Sequence, residues 1–332
     1  MMTDSRTYQS KSAELAVGIL VFSCAVLLWS AHVWSEPSSL LVHQQKSRTE
    51  ANVMSVQFLT PQAGWAAGSK GTILKTTDGG QTWQKKSSGT AALLVSLFFS
   101  DEHRGWIAGA GGTLRRTTDG GETWNAVPLD IQQPLYHVTF AAPSTGWVIG
   151  GGGTILHTTD GGEHWVEQRS GTHAALYSAY FFNEQQGTIV GALGTVLTTD
   201  DGGATWVPRE THGAVTLFDV FFADQENGWA VGNAGALFQT TDGGAEWIDQ
   251  SLPCGKTCTR LVDLLKVRFT DSQSGWIVGE RGMLYRTTDA GFTWKEERSI
   301  APVSLFGLSF PDSSQGWASG DNGTIVHLQL GR

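Results

Sequence analysis

The chain has 332 residues, 42 of them glycine and 14 tryptophan, with only 16 % charged residues and a formal net charge of −9. That balance argues against a general nucleic-acid binder, which presents a basic domain or stripe. Glycine at this level marks many tight turns, and tryptophan at this level asks for a structural slot that recurs.

Residues 1–14 form a short polar tail. Residues 15–34, LAVGILVFSCAVLLWSAHVW, contain no Asp, Glu, Lys or Arg. Twenty such residues at 1.5 Å each span roughly 30 Å, one hydrocarbon thickness, and Trp29 and Trp34 suit an interface. A cleavable signal peptide is the rival reading. Ser30, Ala31 and His32 make a poor cleavage site, and Phe22 is bulky where acylation of Cys24 needs a small residue. The run therefore reads as an uncleaved transmembrane helix, a signal-anchor. Arg6 and Lys11 precede it and Lys46 and Arg48 follow, so the positive-inside count is nearly a tie. The early position of the segment decides for the N-terminus inside and the body outside. The expectation is a single-pass protein of the inner (or thylakoid) membrane, its body on the periplasmic or lumenal side.

From residue 51 onward a repeat takes over. Gly-Trp pairs begin at Gly64, Gly105, Gly146, Gly228, Gly275 and Gly316, with Gly187-Thr188 filling the gap. The steps are 41, 41, 41, 41, 47 and 41 residues. In the first unit, turn signals separate four stretches with strand-like alternation, 54–59, 64–68, 72–77 and 82–87. Four antiparallel strands repeated about every 40 residues are the signature of a propeller blade, and a closed ring leaves no blade unpartnered. The sequence predicts an all-β protein: a seven-bladed β-propeller over residues 51–332, with four-stranded antiparallel blades. The seventh unit lacks a fourth strand. Residues 35–50 supply a linker and, at 40–45, an outer strand that closes the ring.

A second motif follows each of the first six pairs. Thr76-Thr77-Asp78-Gly79-Gly80-Gln81-Thr82-Trp83 is the type copy, an Asp-box or bacterial neuraminidase repeat. Its aspartates are Asp78, Asp119, Asp160, Asp201, Asp242 and Asp289. Its tryptophans are Trp83, Trp124, Trp165, Trp206, Trp247 and Trp294. His164 and Glu246 replace the Thr in two copies. The carboxylate can accept backbone N–H groups within its own hairpin turn, the second Gly permits positive φ, and the Trp can pack between sheets. Identical turns in every blade cannot all be active sites, so these residues read as structural.

These residues resemble the photosystem II stability/assembly factor-like family, across about residues 51–330. The resemblance implies a seven-bladed propeller in the thylakoid lumen or periplasm that is not an enzyme. It implies a partner that is an integral-membrane protein or complex subunit, of the reaction-centre kind if the host is photosynthetic. The founding members hold a newly made photosystem II reaction-centre subunit during assembly; relatives occur in bacteria without photosystem II. Founding members carry an arginine patch. Its counterpart here is the column before each Asp-box: Lys75, Arg116, His157, Thr198, Gln239, Arg286 and His327, with Arg115 and Arg281 nearby. The candidate partner-binding residues are Lys75, Arg115, Arg116, Arg281 and Arg286. A solvated strand position is the plainer reading of these cations.

A sialidase-like glycoside hydrolase is the main rival, since sialidases also carry Asp-boxes; a general carbohydrate- or peptide-binding propeller is another. A sialidase needs an Arg cluster, an acid and a Tyr–Glu pair that break the repeat. The units are uniform, and the five tyrosines are Tyr8, Tyr136, Tyr177, Tyr180 and Tyr285. No nucleophile elbow, phosphate-cradling loop or zinc-ligand spacing occurs, so no catalytic, metal or cofactor site is expected. His137, His157, His164 and His173 read as surface or interblade residues. A sortilin-like receptor needs a larger ring than this length permits. Binding loops are expected at 87–91, 169–173, 210–214 and 252–262. The last holds Cys254 and Cys258, a candidate disulfide in an oxidising compartment.

Overall fold

A computed structural model describes residues 40–211, 213–251, 262–297 and 302–330. The membrane-spanning reading of 15–34, Cys24, and the candidate pair Cys254 and Cys258 lie outside the described residues. Among the described residues no helix is long and apolar enough to cross a membrane.

The described residues form seven four-stranded antiparallel sheets. In blade 1 the strands are Val53–Phe58, Gly64–Gly68, Thr72–Thr76 and Gln84–Ser87. The outer strand starts two residues later than the sequence pattern suggests. The reason is local: the Thr82 N–H is committed to the Asp78 carboxylate, not to a neighbouring strand. Blades 2 to 6 repeat the order, with inner strands Leu94–Phe99, Leu135–Phe140, Leu176–Phe181, Leu217–Phe222 and Leu264–Phe269.

Blade 7 is built from both ends of the body. Its strands Leu305–Ser309, Gln315–Gly320 and Ile325–Leu330 are joined by Leu40–Gln44 as the outer strand. Leu40 lies opposite Leu330, and Gln44 opposite Val326. Gln45 extends the seam into blade 1: its Nε2 donates to the Gly79 carbonyl at 2.7 Å, and its Oε1 accepts from Trp83 Nε1 at 3.1 Å.

The inner strands of successive blades are neighbours all around the ring, so they surround the axis. Each carries a register shift after its first residue, as between Leu135 and His137. Such a bulge twists the strand and re-aims a side chain. The second strand of blades 1 to 6 is buried along its whole length. That burial explains its near-continuous apolar pattern. It also explains its closing glycine: a Cβ on Gly68 would sit 2.0 Å from the Asn52 carbonyl oxygen.

The core lies between blades rather than within them. The Gly-Trp indole of one blade stacks on the Phe that ends the next blade's inner strand. Centroids are 4.0 Å apart for Trp65–Phe99, 3.9 Å for Trp106–Phe140, 3.6 Å for Trp147–Phe181 and 3.7 Å for Trp317–Phe58. The Asp-box Trp then meets that Phe edge-on, as in Phe99–Trp124 at 5.7 Å. Five of the seven interfaces thus stack three aromatic rings in offset and edge geometries. Thr188 breaks the series, and Phe182 fills in: its ring meets Phe222 at 4.8 Å, with Tyr180 at 5.2 Å. A cleft of about 560 Å³ lies between blades 4 and 5, lined among others by Gln186, Thr188, Thr198 and Arg209.

Candidate functional site

The Asp-box turns are held by local bonds. In blade 2, Thr117 Oγ1 donates to Asp119 Oδ1 at 2.7 Å and accepts from the Gly121 N–H at 2.9 Å. Thr123 donates its N–H to Oδ1 at 3.0 Å and its hydroxyl to Oδ2 at 2.6 Å. The Thr123 hydroxyl and N–H hold the Asp119 carboxyl down at about 2. The aspartates of the other five turns, Asp78, Asp160, Asp201, Asp242 and Asp289, are likewise held below the usual carboxylate range by donors of their own turns. His164 substitutes for the Thr by placing Nδ1 2.7 Å from Asp160 Oδ2. Glu246 keeps the N–H bond to Asp242, at 3.0 Å. Each Asp-box aspartate accepts hydrogen bonds from its own turn. Among the described residues no cluster of His, Cys, Asp and Glu is disposed to hold a metal.

The turns are also clamped from outside. Trp65 Nε1 donates to the Gly120 carbonyl of the next blade at 2.9 Å, and a Cβ on Gly121 would lie 3.1 Å from that nitrogen. Close approach and a φ of 84° together require glycine there.

The column before each Asp-box has a geometric cause. Each member is the cross-strand partner of the Gly-Trp residue in its own blade: Lys75 opposite Trp65, Arg116 opposite Trp106, His157 opposite Trp147, Arg286 opposite Trp276 and His327 opposite Trp317. Some members cover the indole. His157 and His327 stack at 4.9 and 4.5 Å, and the Arg286 guanidinium lies 5.1 Å over Trp276, a cation–π contact. Others reach the next blade's Asp-box. Lys75 Nζ meets Glu122 at 2.8 Å, Arg116 pairs with Glu163, and Gln239 Nε2 donates to the Ala290 carbonyl at 3.1 Å. Lys86, which sequence reasoning passed over, shares Glu122 at 2.7 Å.

The five candidate cations do not form one patch. Lys75 belongs to blade 1, Arg115 and Arg116 to blade 2, Arg281 and Arg286 to blade 6. Arg115 and Arg116 alternate along one strand, and Arg115 Nη2 donates to the Gly89 carbonyl at 2.9 Å. Arg281 sits in the turn between the second and third strands at φ 56°, at the opposite end of the strand from Arg286. On that face the turns dock on the interblade loops, as where Gly71 N–H meets the Ala92 carbonyl at 2.8 Å.

A second constellation, with no motif in the sequence, lies at the axis. Asp219, on the inner strand of blade 5, is fully buried. It accepts from Lys266 Nζ at 2.9 Å, Arg268 Nη1 at 2.6 Å, the Val267 N–H at 3.0 Å and Ser178 Oγ at 2.8 Å. Burial pushes the Asp219 carboxyl up, but Arg268 and Lys266 outweigh it and hold the group well below its ordinary range. His137 of blade 3 feels Lys266, Asp219 and Arg268; burial above all, then Lys266, lowers it to about 3, so its ring is neutral. Blades 3 and 6 are not neighbours, so these groups converge across the axis. The readable signal is position: each lies nine residues before a Gly-Trp or Gly-Thr glycine, in the series Ser55, Ser96, His137, Ser178, Asp219, Lys266 and Gly307. Arg268 is two residues further on.

Fold and turns together define an Asp-box seven-bladed propeller whose repeated carboxylates serve structure. The chain belongs to the family of the photosynthesis system II assembly factor YCF48, whose model matches residues 35–135, 88–169, 210–296 and 249–329. It is similar to a structure of YCF48 bound to D1 peptide, at 22 % identity and TM-score 0.72, covering 89 % of this chain and 96 % of that one. It is similar to YCF48 from Cyanidioschyzon merolae, at 21 % identity and TM-score 0.72, covering 87 % and 98 %. The virginiamycin B lyase of Staphylococcus aureus matches in fold as well, at 14 % identity and TM-score 0.74, covering 88 % and 100 %. No curated protein matches the chain.

Proposed function

We propose that this protein is a non-catalytic scaffold of the YCF48 kind: a propeller that binds a membrane-protein partner, a reaction-centre subunit such as D1 in a photosynthetic host, while a complex is assembled. Membership of that family carries the reading. The hydrogen bonds that each Asp-box aspartate accepts from its own turn support binding over hydrolysis. Residues 15–34 serve as the anchor and place the ring on the periplasmic or lumenal side, beside a membrane-embedded partner. Cys254 and Cys258 staple the long loop between blades 5 and 6 as a disulfide.

The partner's acidic groups are met by Lys75, Lys86 and Arg116, with Arg115, Arg281 and Arg286 contributing from other faces of the ring. Glu122 and Glu163 are more than half exposed while the cations they hold are largely covered. A partner carboxylate therefore competes by displacing a mobile glutamate, an exchange that costs little because exposed ion pairs are weak. The test is a titration of the purified protein with a D1 peptide, beside an assay with sialosides. Saturable binding without turnover is the expected result; hydrolysis of a glycan, or no binding of D1, overturns the photosystem reading.

A further inference from the structure

The axial cluster lies outside the surface invoked above, and its composition is one-sided. Blades 3 to 6 contribute His137, Ser178, Asp219, Lys266 and Arg268, while the equivalent positions of blades 7, 1 and 2 hold Gly307, Ser55 and Ser96. At this level blade 7, beside the cations, and blades 1 and 2 thus present only small, uncharged groups, and blade 3 presents the His137 ring. Two cations face one carboxylate, and the neighbouring His137 is neutral. Asp219 has no exposed surface, whereas Lys266 and Arg268 keep 20 % and 24 % of their side-chain surface open. Buried positive charge not matched by an anion is costly. An entering anion would meet the cations' open sides, not Asp219.

The mouth above this cluster is apolar. Each inner strand starts from an interblade loop, so its second residue lies nearest that face, at the bulge. Those residues are Met54, Val95, Tyr136, Tyr177, Phe218, Leu265 and Phe306, each half-buried. Tyr136 and Tyr177 meet at 5.0 Å and Tyr177 and Phe218 at 5.8 Å, although each ring comes from a different blade. Three rings thus form an arc from the residues that immediately precede His137, Ser178 and Asp219. A polar anion alone does not need such a collar; an anion at the end of an apolar chain does.

We infer that the axial channel binds the C-terminal end of an extended apolar peptide, its terminal carboxylate on Lys266 and Arg268 and its last side chains against Tyr136, Tyr177 and Phe218. Arg suits the carboxylate because its fork matches two oxygens. The collar supplies contact area at low entropy cost, since Tyr and Phe have two χ angles. The assignment does not depend on D1 or on a photosynthetic host.

The test is calorimetric titration of the full chain in detergent with three probes: N-acetyl-Leu-Leu-Ala with a free carboxylate, the same tripeptide as its C-terminal amide, and acetate. The acid is expected to bind at least tenfold more tightly than either of the others. Lys266→Met should erase the difference between acid and amide. Tyr177→Ala touches no ion pair, so it keeps the test decisive if Lys266→Met fails to fold; it should weaken the acid at least tenfold. Equal binding of acid and amide, acetate binding as tightly as the acid, an acid affinity unmoved by Tyr177→Ala, or no binding of the acid each overturns the assignment. None of these results bears on the D1 titration, whose probe differs.

Discussion

The Asp-box shows how much one hydroxyl can organise. Thr117 Oγ1 is buried, donates to Asp119 and satisfies the Gly121 N–H, itself buried. Thr117→Val keeps the shape and removes both bonds, together with the one accepted from the Asp119 N–H at 3.3 Å, leaving the Gly121 N–H without its partner, which costs about 1–3 kcal/mol. Denaturant unfolding should show a lower midpoint with an unchanged slope; an unchanged midpoint would mean that the turn is held by the glycines and Trp65 alone. The aspartates predict a pH dependence of definite sign. Their folded-state carboxyls are depressed, Asp119 to about 2, while an unfolded Asp titrates near ~3.9. The unfolded chain therefore takes up protons first as pH falls. Stability from the turns is complete above the unfolded value and is lost as pH drops through the folded one. The thermal midpoint should begin to fall below about pH 6.5, where the unfolded chain protonates the His137 that the fold holds neutral down to about 3, and fall more steeply between about 4 and 2 as the aspartates join. A midpoint that stays flat from neutrality to about pH 4 would show that His137 is not held neutral by the fold.

At the scale of the element, the interblade aromatic triad is the unit of construction. Trp147 is fully buried against Phe181 and under His157. Trp147→Ala should cost about 3–5 kcal/mol, as large aromatic truncations in a core do, and scanning calorimetry would measure it. Blade 4 offers the converse. Thr188→Trp alone should destabilise by overpacking, because Phe182 already occupies the space. Phe182→Ala combined with Thr188→Trp should recover most of the loss. Additive effects in that double-mutant cycle would mean the two side chains do not share a slot. The triad also explains what was legible in advance. Gly-Trp and the Asp-box are contiguous in the chain, and each residue's role is satisfied within a few positions or by an identical neighbour, so spacing alone reveals blades and turns. The boundary of the outer strand escaped because the Thr82 N–H has a side-chain partner that no periodicity records. The axial cluster escaped for a different reason: Asp219, Lys266 and His137 lie in three blades, each fills a slot that is Ser or Gly elsewhere, and only superposing the repeats exposes them.

For the whole molecule, closure is the decisive property. Blade 7 takes its outer strand from Leu40–Gln44, so the two ends of the body are joined by strand pairing and by the Gln45 bridges to Gly79 and Trp83. A chain that begins at residue 46 should unfold at markedly lower temperature than one that begins at residue 38; equal midpoints would show that the seam contributes nothing. A ring closed in this way offers a face, a rim and an axis to a partner, the use proposed for it above. The measurement that tests this most directly is crosslinking of the full chain in its own membranes, with partners and linkage sites identified by mass spectrometry. A reproducible integral-membrane partner, linked to propeller residues and weakened when Lys75 and Arg116 are changed to Glu, is the predicted result. No membrane partner, together with turnover of a glycan by the purified protein, would contradict the scaffold and make the propeller the frame of an enzyme.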